Sequence, residues 1–178
     1  TTTDGTPDTF TGDTNFQGNT WAPSSTGGQF LHGIGDQPSW TESALQVALE
    51  GLTIGQQYEI SFEQSITRND FSQTGGFWRI KFGDETQESE QLLIPDAGIF
   101  EGWIWQTLLF TATQEIQTLE VIAWSDTDGL RTDIGIDSFF LGDPGTNPDN
   151  PVNVAQPAVF TLMLAGLMGI GFTRRRKL

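Results

Sequence analysis

Apolar and polar positions alternate with a period of two through most of the first 142 residues, and that period belongs to strands. The clearest run is LEGLTIGQQYEISFEQSI, residues 49–66. Leu52 and Ile54 lead into a turn at Gly55-Gln56; then Tyr58, Ile60 and Phe62 alternate with Glu59, Ser61 and Glu63. One face is apolar and the other acidic, which predicts a half-buried antiparallel strand. GFWRIKFG, residues 76–83, repeats the pattern with Trp78, Ile80 and Phe82 against Phe77, Arg79 and Lys81. Further strands are predicted over residues 29–33, 43–49, 103–112, 118–124 and 134–141. Residues 1–28 read as turn chemistry with isolated aromatics, 85–90 as charged and exposed, and 91–94 as a short apolar run ended by Pro95. No segment before Pro151 shows a 3.6-residue period. Short strands spaced roughly 10 to 15 residues apart argue an all-β sandwich over residues 1–142.

The pattern changes after that. Residues 143–153 hold three prolines with Gly, Asn and Asp, and read as a flexible linker. Residues 154–178 form the third unit: 158–172 carry no charge, and Arg174, Arg175, Arg176 and Lys177 follow together. Fifteen residues rise only about 22 Å as a helix, so the run reaches the lower end of a spanning segment only with its lead-in. Gly166, Gly169 and Gly171 would let another helix approach closely. The cations would stay cytoplasmic and leave the rest of the chain outside. A leader removed before Thr1, or a fragment edge there, fits that expectation. In its order of motif, short apolar helix and Arg cluster, the tail resembles a PEP-CTERM sorting signal, which implies export in a Gram-negative bacterium and handling by an exosortase-type enzyme. Pro157 matches the second proline of that family's Pro-Glu-Pro, but the tripeptide here is Ala155-Gln156-Pro157. Gln156, Pro157, Arg174, Arg175 and Arg176 are therefore the candidate sorting residues, with cleavage and permanent membrane anchoring both open.

Charge narrows the partners. All 23 acidic residues precede Pro151, against only Arg68, Arg79, Lys81 and Arg131, a net charge of −19 for residues 1–150. Such a field repels nucleic acid. With no cysteine, neither disulfides nor thiol chemistry is available. His32 is the only histidine, so any Ser-His-Asp triad would pass through it, and its setting at a strand end favours a structural or surface role. No phosphate loop stands between a strand and a helix, and the many carboxylates make no single pair informative. The expectation is a protein that is not an enzyme.

GTPDTF (5–10), WAPSSTGGQFLHG (21–33), GLTIGQQYEISFEQS (51–65), the strand opening at Trp105 and IGIDSFFL (134–141) together resemble a galactose-binding-domain-like jelly roll, a fold used by carbohydrate-binding modules. That likeness implies an antiparallel jelly-roll β-sandwich and a structural calcium ion beside the final strand. Asp137 would be its ligand there, joined from early loops by Asp8, Asp13 and Asp36. Asp126-Thr127-Asp128-Gly129 alternates carboxylates but lacks the rest of a calcium loop. Of six tryptophans, Trp78, Trp105 and Trp124 are expected in the core. Trp21, Trp40 and Trp103, in or beside loops, are the candidate sugar platforms. The two resemblances jointly imply a surface or matrix protein that binds exopolysaccharide or another glycan. The alternative is a structural subunit whose tail helices pack together as a homo-oligomer.

Overall fold

The computed structural model describes residues 8–11, 15–16, 19–36, 45–68, 72–96, 99–100, 102–127 and 129–150. Eleven strands run through them: β1 Asp8–Thr11, β2 Asn15–Phe16, β3 Asn19–Thr20, β4 Gln29–Asp36, β5 Leu45–Glu50, β6 Gln57–Ile66, β7 Gly76–Phe82, β8 Glu85–Glu88, β9 Ile104–Thr111, β10 Ile116–Ser125 and β11 Arg131–Gly142. Five form one sheet in the order β1-β4-β11-β6-β9, and four form a second in the order β5-β10-β7-β8; β2 and β3 pair as a small hairpin. Every ladder is antiparallel. The sequence-predicted strands are present, several of them longer than the alternation suggested. β1 and β8 arise where turn chemistry and exposed charge were expected; each is a four-residue edge strand whose pairing its neighbour supplies.

Alternation decides what goes between the sheets. Ile60, Phe62, Ile66, Phe110, Ile134 and Ile136 from the five-stranded sheet meet Trp78, Ile80, Phe82, Leu119, Val121 and Ala123 from the four-stranded one. Each large side chain fully buried there stabilises by about 1.5–3 kcal/mol. Trp78, wholly buried, crosses the sandwich and donates its indole N–H to the Gly135 carbonyl at 3.1 Å. Glycine at position 33 makes room for it, since a Cβ there would stand 2.5 Å from the Trp78 ring and 2.8 Å from Ala123.

The outer face of the five-stranded sheet is not open, which corrects the half-buried strand expected at β6. Glu59, Ser61, Glu63 and Ser65 point away from the core, yet all are buried. One cover is aromatic: Trp21 and Trp103 lie over Gly135, where a Cβ would come within 2.8 and 3.0 Å of their rings, and Phe30 closes against both at 5.0 and 5.2 Å. The other cover is the stretch after β11. The Gly145 N–H donates to Glu59 at 2.6 Å, Asn147 to the Ser61 hydroxyl at 2.7 Å and Asn150 to the Thr107 hydroxyl at 3.1 Å. Residues 143–150, expected as flexible linker, are thus a strap. Their Asn side chains are buried and hydrogen-bonded, and only beyond Asn150 does the expected linker continue outside the described residues. Among the described residues no helix is long and apolar enough to cross a membrane. The tail unit, with Gln156, Pro157, Arg174, Arg175 and Arg176, lies outside them.

Candidate functional site

On the outer face of the four-stranded sheet no such cover is found among the described residues, although Ile122 at its middle is buried. Because Trp78, Ile80 and Phe82 point inward, Phe77, Arg79 and Lys81 of β7 point out. On neighbouring β10 the inward set Leu119, Val121 and Ala123 turns Thr118, Glu120, Ile122 and Trp124 outward. Register then sets pairs: Trp124 stands opposite Phe77, Ile122 opposite Arg79 and Glu120 opposite Lys81. Arg79 lies across its strand, with its guanidinium carbon 3.5 Å from the centre of the Trp124 ring and 5.9 Å from that of Phe77. Glu88 on β8 accepts from Arg79 Nη2 at 2.6 Å and Nε at 3.0 Å. Further along, Lys81 Nζ donates to Glu120 at 3.2 Å. Beside that pair opens a polar cleft of about 360 Å³, bordered by Gly83, Asp84, Gln114, Gln117 and Thr118. The face therefore carries half-buried rings at one end and a polar hollow at the other.

That is chemistry for a hydroxyl-rich ligand. Ring faces meet C–H surfaces, while amides, carboxylates and ammonium groups meet hydroxyls. Sequence reasoning put Trp124 in the core. The signal against that lay in TLEVIAW itself, where Trp124 shares its phase with Glu120 and Thr118, not with Leu119 and Val121.

The residues predicted from sequence fall elsewhere. Trp21 is 1% exposed, ringed by Phe30, His32, Phe100 and Trp103, so its faces are closed to a sugar. Trp103 is half-buried in the same cover and donates its N–H to the Ala22 carbonyl at 2.8 Å. Trp40 lies outside the described residues. Asp137 sits on the covered face, where the Ser24 hydroxyl donates to it at 2.5 Å. Beside it, Glu63 accepts from the Ser25 amide, the Ser25 hydroxyl and the Ser138 hydroxyl at 2.7–2.8 Å. Ser138 takes φ 57° at the bulge that interrupts the β6–β11 register.

Of the candidate calcium ligands, Asp36 and Asp137 are not brought together. Asp36 pairs with Arg131 at one end of the β4–β11 ladder, and Asp137 lies six residues along from Arg131. Their backbones are roughly 20 Å apart at the strand rise, too far for one ion. Asp8 is placed on β1 opposite His32, and Asp13 lies outside the described residues. No group of three or more His, Cys, Asp or Glu that could hold a metal occurs among the described residues.

His32 is structural in its contacts. It is buried against Trp21, with Nε2 3.3 Å from Asp133 Oδ1. Asp133 also accepts two bonds from Arg131, at 2.8 and 3.0 Å, and one from the Ser72 hydroxyl at 2.9 Å. Burial by itself would raise the Asp133 pKa; hydrogen bonds from His32 and Arg131, with their charges, overcome it and hold the carboxyl well below the usual carboxylate range.

No protein-family model matches this chain, and no curated protein matches it. Among solved structures it is similar to the C-terminal domain of EclA, described as a sugar-binding protein, at 16% identity over 62% of this chain and 76% of that one, with a TM-score of 0.46. A second is a Stig cyclase of Fischerella sp. TAU, at 12% identity over 76% and 73%, TM-score 0.44. A third holds the CBM22-1–GH10 modules of a Clostridium thermocellum xylanase, at 11% identity over 79% and 25%, TM-score 0.42. All three TM-scores lie below 0.5, and no site residue or activity is carried over from them.

Proposed function

We propose that residues 1–150 form a non-catalytic glycan-binding domain of galactose-binding-like jelly-roll type, and that it reads its polysaccharide on the open face of the four-stranded sheet. One observation carries the reading: on a face that no described loop covers, Phe77 and Trp124 stand side by side at one end and a polar cleft opens at the other. Arg79 already lies over the Trp124 ring, and a sugar face stacked on what the two rings leave exposed would remove further apolar surface from water. Export and display through the tail belong to the same proposal, on the strength of the tail's order of Pro157, apolar run and Arg174 to Arg176.

The full chain should be retarded in gels containing its polysaccharide, and Trp124→Ala should abolish that retardation while leaving the unfolding midpoint within a few degrees. Retardation by no member of a broad polysaccharide panel would sink the glycan reading. The tail is tested separately by intact mass from the cell envelope and medium. A mass ending near Gln156 supports sorting; one that retains Arg174 to Leu178 supports permanent anchoring.

A further inference from the structure

The cations on the open face say which glycan. Only four basic residues precede Pro151. Arg131 is engaged with buried Asp133, and Arg68 is exposed near the sheet end. The other two, Arg79 and Lys81, stand on the same face of β7, two residues and about 7 Å apart. Both lie within the ring-and-cleft surface described above. Arg79 is held in place by its stack on Trp124 and by Glu88, so little freedom is left to lose when a ligand binds.

Its donors are not exhausted. A guanidinium has five N–H groups, and Glu88 takes one from Nε and one from Nη2, which leaves the edge formed by Nη1 and Nη2 without a partner among the described residues. That edge has the geometry that receives two oxygens of one anion. Lys81 likewise gives only one of its three N–H groups to Glu120. Ion pairs at a protein surface typically contribute about 0–1 kcal/mol, and these two are only partly buried.

Resting on the glycan reading, we infer that the open face takes a glycan carrying isolated anionic substituents, a carboxylate or sulfate on an otherwise neutral backbone, with Arg79 and Lys81 receiving the anion beside the Trp124 platform. A dense polyanion is a poor ligand for this face, because the net −19 of residues 1–150 repels it.

The test is an array of oligosaccharide pairs that share a backbone and differ by one uronate, including xylo-oligosaccharides with and without 4-O-methylglucuronate, with polygalacturonate as the polyanion. The full chain is compared with Arg79→Gln, Lys81→Gln and Trp124→Ala. The charged member of a pair should bind about tenfold tighter, the scale of one charge-assisted hydrogen bond. That advantage should shrink as salt rises above about 0.1 M, and in Arg79→Gln the ratio of charged to neutral affinity should fall to about one even where the neutral member also binds more weakly. Equal affinity within pairs overturns the inference and leaves the glycan reading intact. Strongest binding to polygalacturonate that Arg79→Gln and Lys81→Gln abolish overturns it too, as does loss of neutral and charged members in equal proportion in Arg79→Gln, which would make Arg79 only a prop for Trp124. Binding of no oligosaccharide at all overturns the glycan reading and this inference with it.

Discussion

The two outward faces of this sandwich reverse a familiar expectation. Small and acidic residues, Glu59, Ser61, Glu63 and Ser65, lie on the face that is covered. Large, partly exposed ones, Phe77, Arg79, Lys81 and Trp124, lie on the face that no described loop covers. The reason is in what does the covering. Loops arrive with backbone N–H groups, hydroxyls and amides that need acceptors once water is excluded, and carboxylates and serines supply them. On the other face no described loop arrives in this way, and the side chains of Arg79 and Lys81 lie along the sheet with their charged ends partly exposed. Polarity in the outward phase of a strand therefore does not by itself mean exposure.

The comparison can be broken most severely at Trp21. Trp21→Ala removes the keystone of the aromatic cover, and urea unfolding should show a loss of about 3–5 kcal/mol. Glycan binding at the opposite face should survive wherever the variant is still folded; a parallel loss would mean that the faces are not independent.

Next in size is Asp133→Asn, which strips a buried carboxylate from Arg131 and His32 and should cost on the order of 3 kcal/mol. The pH profile carries the same test. Asp133 has a folded pKa depressed below its unfolded value, so its contribution is complete above the unfolded carboxyl range of about 4 and is lost as pH falls from there toward the lower folded pKa. The Asn variant should show a shallower acid slope in unfolding free energy.

The strap is expected to contribute less. Asn147→Ala leaves the Ser61 hydroxyl buried without that donor and should cost about 1–3 kcal/mol, with faster amide exchange along β6. The smallest effect belongs to the open face. Lys81→Gln should change stability by less than about 1 kcal/mol, although the same substitution weakens charged-glycan binding. A larger destabilisation would show that the open face is part of the scaffold after all.

Two-residue alternation in stretches such as YEISF and FWRIKF determined that the chain is all-β, and which residues of each strand share a face, because side-chain direction along a strand is a local property. The apolar phase, Ile60 and Phe62 or Trp78 and Ile80, was legible as core for the same reason. What alternation could not reveal is which of two polar phases meets water. That depends on where residues 19–28, 100–103 and 143–150 come to lie, and they reach β6 and β11 from positions up to 113 residues away in the chain. Loop tryptophans were therefore read as platforms and strand tryptophans as core; tertiary contact buried Trp21 and left Trp124 facing outward. The site at Arg79 was in the same position. Its neighbours Trp124 and Glu88 are brought together by strand order, and sheet order is a long-range choice that no local pattern specifies.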